Sequence, residues 1–232
     1  PGHTITMTVM AETLLLIGHH SPLGKKLAQL LLAEGKTVVS TISEYEEAAL
    51  QPGEEADERL SLIHWNRHSP VSAHNVLLEV MEKHERIDRA LFVFDTTKDN
   101  RALHEVGLSE IEKYIDGRFK GLTFLLKELI HYYQRGKGGA ISLILHSEGA
   151  KVLPPLDGMG TGAFRALGNS LFTFYQNEEI VINGFESSTS ESGEFADFIL
   201  KTLEDKAGRT HGKWFRYSDR GVWNALGLPG KR

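Results

Sequence analysis

The stretch from Leu14 to Val39 constrains the chain more than any other. It opens on a short apolar run, Leu14 to Ile17, passes through Gly18-His19-His20-Ser21-Pro22-Leu23-Gly24, and continues through a helix-forming segment to Thr37-Val38-Val39. That order is a buried strand, a tight turn and a helix leading back to a second strand. A turn of this kind cradles phosphate when glycines let the backbone come close and the helix N-terminus faces the anion. Gly18 and Gly24 hold two of those positions, while Pro22 fills the middle one, so the turn is eroded at its centre.

Similar apolar runs recur at Thr13 to Ile17, Thr37 to Ile42, Leu60 to Trp65, Ala90 to Phe94, Ala140 to Leu145, Ile180 to Phe185 and Lys213 to Tyr217. Runs that are apolar throughout, rather than alternating, suit strands covered on both faces. The strongest helix signal between them is Leu108 to Gln134, where Ile111, Ile115, Phe119, Leu122, Leu126, Leu129 and Tyr133 step by three or four. Ser109 with Glu112 offers a capping box there, and Arg135-Gly136 a stop. A second helix is predicted over Gly162 to Gln176 and a third from about Glu194 to Asp205. Gln51 to Glu58 reads as a solvated acidic connection, Gly136-Lys137-Gly138-Gly139 as a flexible turn, and Lys151 to Gly162 as a loop. Alternation of strand and helix predicts an α/β fold, a doubly wound parallel sheet in three α/β/α layers of Rossmann-like type.

The 232 residues suffice for a large core, and one domain over residues 11–232 is expected. Residues 1–10 read as a tag remnant, Pro1-Gly2-His3, and a flexible N-terminus before Met7 or Met10. A formal charge of -5 gives no bulk basic field for nucleic acid or membrane, which leaves small molecules and proteins as partners. With no cysteine there are no disulfides, thiol nucleophiles or cysteine-held zinc, and the cytoplasm is the simplest compartment.

Taken in order, these segments resemble the short-chain dehydrogenase/reductase family. The likeness runs through the Gly18 turn, Arg86 to Phe94 as the fourth strand, the long helix, Gly139 to Gly149 as the fifth strand and its end, and Gly160 to Leu167 opening the next helix. It implies oxidation or reduction of an alcohol or carbonyl by a tyrosine acid, a lysine four residues later, a serine that polarises the substrate and an upstream asparagine. On this chain the tyrosine and lysine positions fall on Gly160 and Phe164, and neither can move a proton. The asparagine position falls near Arg118, and the serine position on Ser147 or, one residue out of register, His146. Ser147, His146 and Arg118 are therefore the candidate catalytic residues. Loss of general acid catalysis removes roughly 100- to 10,000-fold in rate.

The resemblance also implies a nicotinamide dinucleotide, here NADP(H) held weakly or no cofactor at all. The family's Asn-Asn-Ala-Gly segment is replaced by Phe92-Val93-Phe94-Asp95, followed by Thr96-Thr97, and bulk takes the place of clearance. Thr41-Ile42-Ser43 lacks the ribose-binding carboxylate of an NAD site, whereas Ser43 with His19 and His20 suits a 2′-phosphate, unless the histidines are simply solvated. Asn66 stands where an aspartate faces adenine, or else caps the next segment. The candidate cofactor set is thus Gly18, His19, His20, Ser21, Gly24, Ser43 and Asn66. The family's Pro-Gly after the sixth strand is here Ser187-Ser188.

His146-Ser147-Glu148 suggests a hydrolase, but neighbours on a strand point to opposite faces, so they do not share one site. His64 and His68 straddle a strand end without a metal-binding pattern, so no metal site is expected. Tyr132-Tyr133 reads as helix-end packing and Lys25-Lys26 as a solvated face. Two function classes stay open: a catalytically silent binding or assembly module, and an unorthodox NADP(H)-dependent oxidoreductase. A homodimer or tetramer is expected, because Phe119, Phe124, Tyr132 and Tyr133 on one helix, with Phe164, Phe172, Phe174 and Tyr175 on the other, exceed what one sheet face absorbs.

Overall fold

The computed structural model of the protein describes residues 11–43, 57–96, 99–136, 138–149, 152–207 and 210–218. The N-terminal segment 1–10, nearly all of the acidic connection 51–58, Thr97, Lys137 and Lys151 lie outside the described residues.

Seven strands form one parallel sheet in the order β3-β2-β1-β4-β5-β6-β7. They are β1 (Thr13–Ile17), β2 (Thr37–Ile42), β3 (Leu60–His64), β4 (Arg89–Asp95), β5 (Gly139–His146), β6 (Ile180–Ser187) and β7 (Trp214–Tyr217), each within two residues of an apolar run. Both faces are covered, which is why the runs do not alternate. Leu15 and Ile17 point into one core with α2 (Pro70–His84), α4 (Gly121–Arg135) and α5 (Pro155–Phe174). Leu14 and Leu16 point into a second, with α1 (Pro22–Ala33) and α6 (Ser192–Thr202). The fold class read from the sequence is the one observed.

The helices depart from the sequence reading in four places. Helix α2 was not expected; Ser69 caps it by accepting from Ser72 N–H at 3.2 Å, Pro70 sits in its first turn, and Ala73, Val76, Leu77 and Val80 bury its inner face. The predicted helix 108–134 is two helices, α3 (Leu108–Ile115) and α4, joined by a π turn at Asp116–Lys120 in which Gly121 N–H bonds the Asp116 carbonyl. The cap of α3 is not Ser109 with Glu112, because Glu110 reaches back to the Gly107 N–H at 2.9 Å. Helix α5 starts inside the supposed loop 151–162: Pro155 suits a first turn, and packing of Gly160, Phe164 and Gly168 overrides the weak helix propensity of the glycines. The predicted third helix is α6 followed by a second π turn, Leu203–Ala207.

The aromatic surplus is mostly absorbed within the monomer, contrary to expectation. Tyr133 is 1% exposed, Phe164 2% and Phe172 8%, and Tyr132 accepts a hydrogen bond from Ile87 N–H at 3.2 Å. Phe119, Phe124, Tyr132 and Tyr175 are half-buried; of the eight, Phe174 alone is open, at 81%. Among the described residues no helix is long and apolar enough to cross a membrane, and no group of histidines and carboxylates is placed to hold a metal ion.

Candidate functional site

The strand order reverses between β1 and β4, and in open α/β sheets a crevice forms there outside the carboxyl ends of the strands. The turn after β1 enters it. Gly18 takes φ +96°, and a Cβ there would meet the Val93 carbonyl oxygen of β4 at 2.8 Å. A Cβ on Gly24 would run into the Gly18 carbonyl, so α1 packs against the turn only with glycine at that position. Between them Ser21 closes the turn on itself, its hydroxyl donating to Gly18 O at 3.1 Å and accepting from Gly24 N–H at 3.0 Å. Pro22 has no N–H and that of Gly24 is taken, so the first turn of α1 offers an anion little of what a helix N-terminus normally offers.

His19 does not line the crevice; it is 3% exposed with Nδ1 3.2 Å from Ser40 Oγ. His20, Ser43, Asn66 and Arg118 do meet, around a cleft of about 700 Å³ over the ends of β1 to β3. Asn66 also caps the next segment, as its Oδ1 accepts from His68 N–H at 2.9 Å. The sequence reading missed Trp65, Arg67, Lys113 and Tyr114 in the same wall. Tyr114 and Arg118 stand four apart, a spacing that puts helical residues on one face and was the available signal.

Over β4 to β6 the crevice is filled by protein. The ring of Phe164, at the lysine position, stacks on Phe94 with centroids 4.9 Å apart. Gly160, at the tyrosine position, faces the hydroxyl of Tyr114, which would collide with a Cβ there, while Phe94 Cζ lies 2.8 Å from the same point. That hydroxyl stands at the root of the missing tyrosine and not at its tip, so it fills the space without taking over the role. It donates to Asp157 Oδ1 at 3.3 Å, and burial pushes the phenol well above its ordinary pKa, opposite to what proton transfer needs. Arg118 stacks on Phe94 and Tyr114 at 5.1 and 5.4 Å and donates to the Asp95 carbonyl.

Asp95 and His146 end adjacent strands and are paired in register, which brings their side chains together. His146, 1% exposed, has Nδ1 3.0 Å from Asp95 Oδ1 and Nε2 2.9 Å from the Thr189 carbonyl. The Thr189 carbonyl can only accept, so Nε2 donates to it, and the Asp95 carboxyl group beside Nδ1 favours the protonated ring. Burial opposes that charge, but the Asp95 carboxylate, the Thr189 carbonyl and Glu148 together outweigh it and raise the pKa above the ordinary 6.5. Ser187 Oγ accepts from Thr189 N–H at 3.1 Å and so fixes the loop that presents this carbonyl. Arg118 and His146 are thus linked through Asp95, whereas Ser147, just past the strand, is half-buried and bonds Ser187 O through its backbone at 3.0 Å.

No protein-family model matches the sequence, and no curated protein matches it. Solved structures do. A short chain dehydrogenase from Bacillus anthracis is 15% identical over 89% of this chain and 95% of its own, with a TM-score of 0.74. A 3-ketoacyl-(acyl-carrier-protein) reductase from Brucella melitensis, complexed with NADH, is 11% identical over 88% and 96%, at 0.73. The structure of ElxO with NADP bound is 17% identical over 89% and 97%, also at 0.73. The protein has the fold of the short-chain dehydrogenases and reductases, at a distance in sequence where the fold is what the likeness establishes.

Proposed function

We propose that this chain is a diverged short-chain dehydrogenase/reductase that keeps the fold, has given up the family's proton-transfer chemistry, and serves as a binding or assembly module. One observation carries the reading: the volume beside Gly160 and Phe164 is filled by Tyr114 and Phe94, so the proton-transfer position is occupied as well as unmanned. The nicotinamide dinucleotide implied by the fold does not fit the same residues. Its reactive half would have to enter the space of Phe94, Phe164 and the Asp95–His146 pair, and its pyrophosphate would face Pro22 and a Gly24 N–H already held by Ser21. An oxidoreductase built on Ser147, His146 and Arg118 is disfavoured, because His146 has both nitrogens engaged and Arg118 is committed to Asp95 and two rings.

The test is turnover of generic ketones and alcohols with NADH, NADPH or their oxidised forms. No turnover at ordinary enzyme rates is expected. Rates of about 1 s⁻¹ or more overturn the reading.

A further inference from the structure

The segment that plugs the filled half of the crevice is itself barely held. Across residues 99–115, which comprise the 3₁₀ turn Leu103–Glu105 and α3, Tyr114 alone has a buried side chain, while the apolar Leu103, Leu108 and Ile115 are exposed. Helix α4, next in the chain, buries seven residues between Gly121 and Tyr133. Polar bonds tie the segment to itself. Arg101 pairs with Asp99 and, at 2.8 Å, with Glu110; Glu105 accepts from the Ala102 N–H at 2.8 Å and Glu110 from the Gly107 N–H at 2.9 Å. Where it faces the start of α5, a gap of about 110 Å³ is lined by Leu103 and Val106 from one side and by Pro154, Pro155 and Leu156 from the other. The segment is thus an internally tied unit with one buried ring as its pin. The hydroxyl on that ring donates to the buried Asp157 at 3.3 Å, long for a bond between two oxygens.

Its other end is the π turn Asp116–Lys120. Irregular turns inside helices are common where function needs them. Gly117 lies in this one, and a Cβ there would meet nothing within 4 Å, so packing does not require the glycine and what it gives the turn is backbone freedom. Beyond Gly117 the chain is fixed. Arg118 donates to the Asp95 carbonyl, and a Cβ on Gly121 would meet Arg67 at 2.7 Å.

We infer that residues 99–115 form a lid, hinged at Asp116–Lys120 and latched by Tyr114 on Asp157, which swings out as a unit and uncovers Phe94 and Gly160 while the sheet and α4 stay folded. The filled half of the crevice then has two fillings of different permanence: Phe94 and Phe164 belong to the core, and Tyr114 is removable. Local openings need less free energy than global unfolding when few buried contacts are given up. The inference goes beyond the proposed function, which needs only that the space beside Gly160 be occupied in the closed chain, and its failure leaves that reading standing.

The chain has no cysteine, so one introduced thiol reports its own exposure to iodoacetamide. Phe94→Cys places it beside the latch, and Phe92→Cys, two positions earlier on the same strand and in the same core, is the control. Below the unfolding transition Phe94→Cys should react about ten-fold or more faster than Phe92→Cys, with a shallower dependence on urea. Tyr114→Phe keeps the ring and removes the hydroxyl, and should speed Phe94→Cys about three-fold or more. Ile199→Val, in the core on the opposite face of the sheet, should speed Phe92→Cys about three-fold and leave Phe94→Cys unchanged, because the lid opens without disturbing that core. Equal rates at the two thiols, or the same acceleration of both by Ile199→Val, overturns the lid. Should either buried thiol prevent folding, spin labels on the exposed positions Leu108→Cys and Phe174→Cys read the same motion. Adding Tyr114→Ala should give a second distance between the labels, and one unchanged distance overturns the inference.

Discussion

The two halves of the crevice are built on the same sheet and reached by the same kind of loop, yet they have gone opposite ways. Over β1 to β3 the strand ends open into a cleft of about 700 Å³. Over β4 to β6 the corresponding space is taken by Phe94, Phe164 and Tyr114 and by the partly buried Asp95–His146 pair. Phe94 and Phe164 are continuous with the core shared by α2, α4 and α5, so the place where reaction chemistry would sit has been annexed by packing. The contrast teaches that one sheet can carry, at the same edge, a crevice packed with side chains and a crevice left open.

Restoring the family's residues should break the filled half. Gly160→Tyr with Phe164→Lys drives a side chain into Tyr114 and Phe94 and buries an ammonium at a position 2% exposed, and a loss of about 4 kcal/mol or more is expected. Urea unfolding measures it. Adding Tyr114→Ala should recover part of the Gly160→Tyr penalty, a coupling that a double-mutant cycle isolates. A stable double variant without that rescue would show the space to be free after all.

Next in size is the ion pair. His146→Ala leaves the Asp95 carboxylate, with a side chain 14% exposed, without its partner, and about 3 kcal/mol should be lost in the same assay. The pair also makes stability depend on pH. Folding raises the His146 pKa above 6.5, so the folded state binds the proton more tightly than the unfolded chain. The resulting stabilisation is fully present below that unfolded value and is lost as pH rises through the folded one. Urea midpoints should therefore decline on the alkaline side of 6.5, and His146→Gln should flatten that slope. An unchanged slope would mean that the imidazolium does not contribute to holding the filled half.

The smallest effect concerns neither half. If two copies associate, Phe174, 81% exposed on α5, is the aromatic available to the contact. Phe174→Glu should lower the mass seen by light scattering while changing monomer stability by no more than about 0.5 kcal/mol. Charged variants at Phe172 would not test this, because Phe172 is buried and they would strike the core.

The sheet was legible because every strand announces itself as an apolar run, and two covered faces leave no other pattern to read. The helices were less so. Prolines and glycines at 154–162 read locally as a loop, yet Pro155 is tolerated in a first turn, and Gly160 is needed where Tyr114 approaches. Of the site, His20, Ser43 and Asn66 were placed together through their positions after successive strands, whereas Arg118, expected among the catalytic residues from its place in the long helix, joins them only in the folded chain. The partnership of Asp95 with His146 depends on strand register across 51 positions. Tyr114 reaches Asp157, 43 positions away, only after α3 and α5 have packed. Neither contact has a local trace in the sequence.

The π turn between α3 and α4 sets an angular phase. Its hydrogen bond from Gly121 back to Asp116 spans one residue more than an α-helical bond, and each helical residue turns the chain by about 100°. The turn therefore shifts the face of one helix relative to that of the other. Helix α4 commits Leu122, Leu125 and Leu129 to the sheet, while α3, rotated out of step, swings Tyr114 over Gly160 and Lys113 toward the cleft. Deleting Gly117 would bring the helices back into step and turn both side chains away by about 100°. One inserted residue thus works as a keyway: it locks the filled half shut and aims the open half in the same turn.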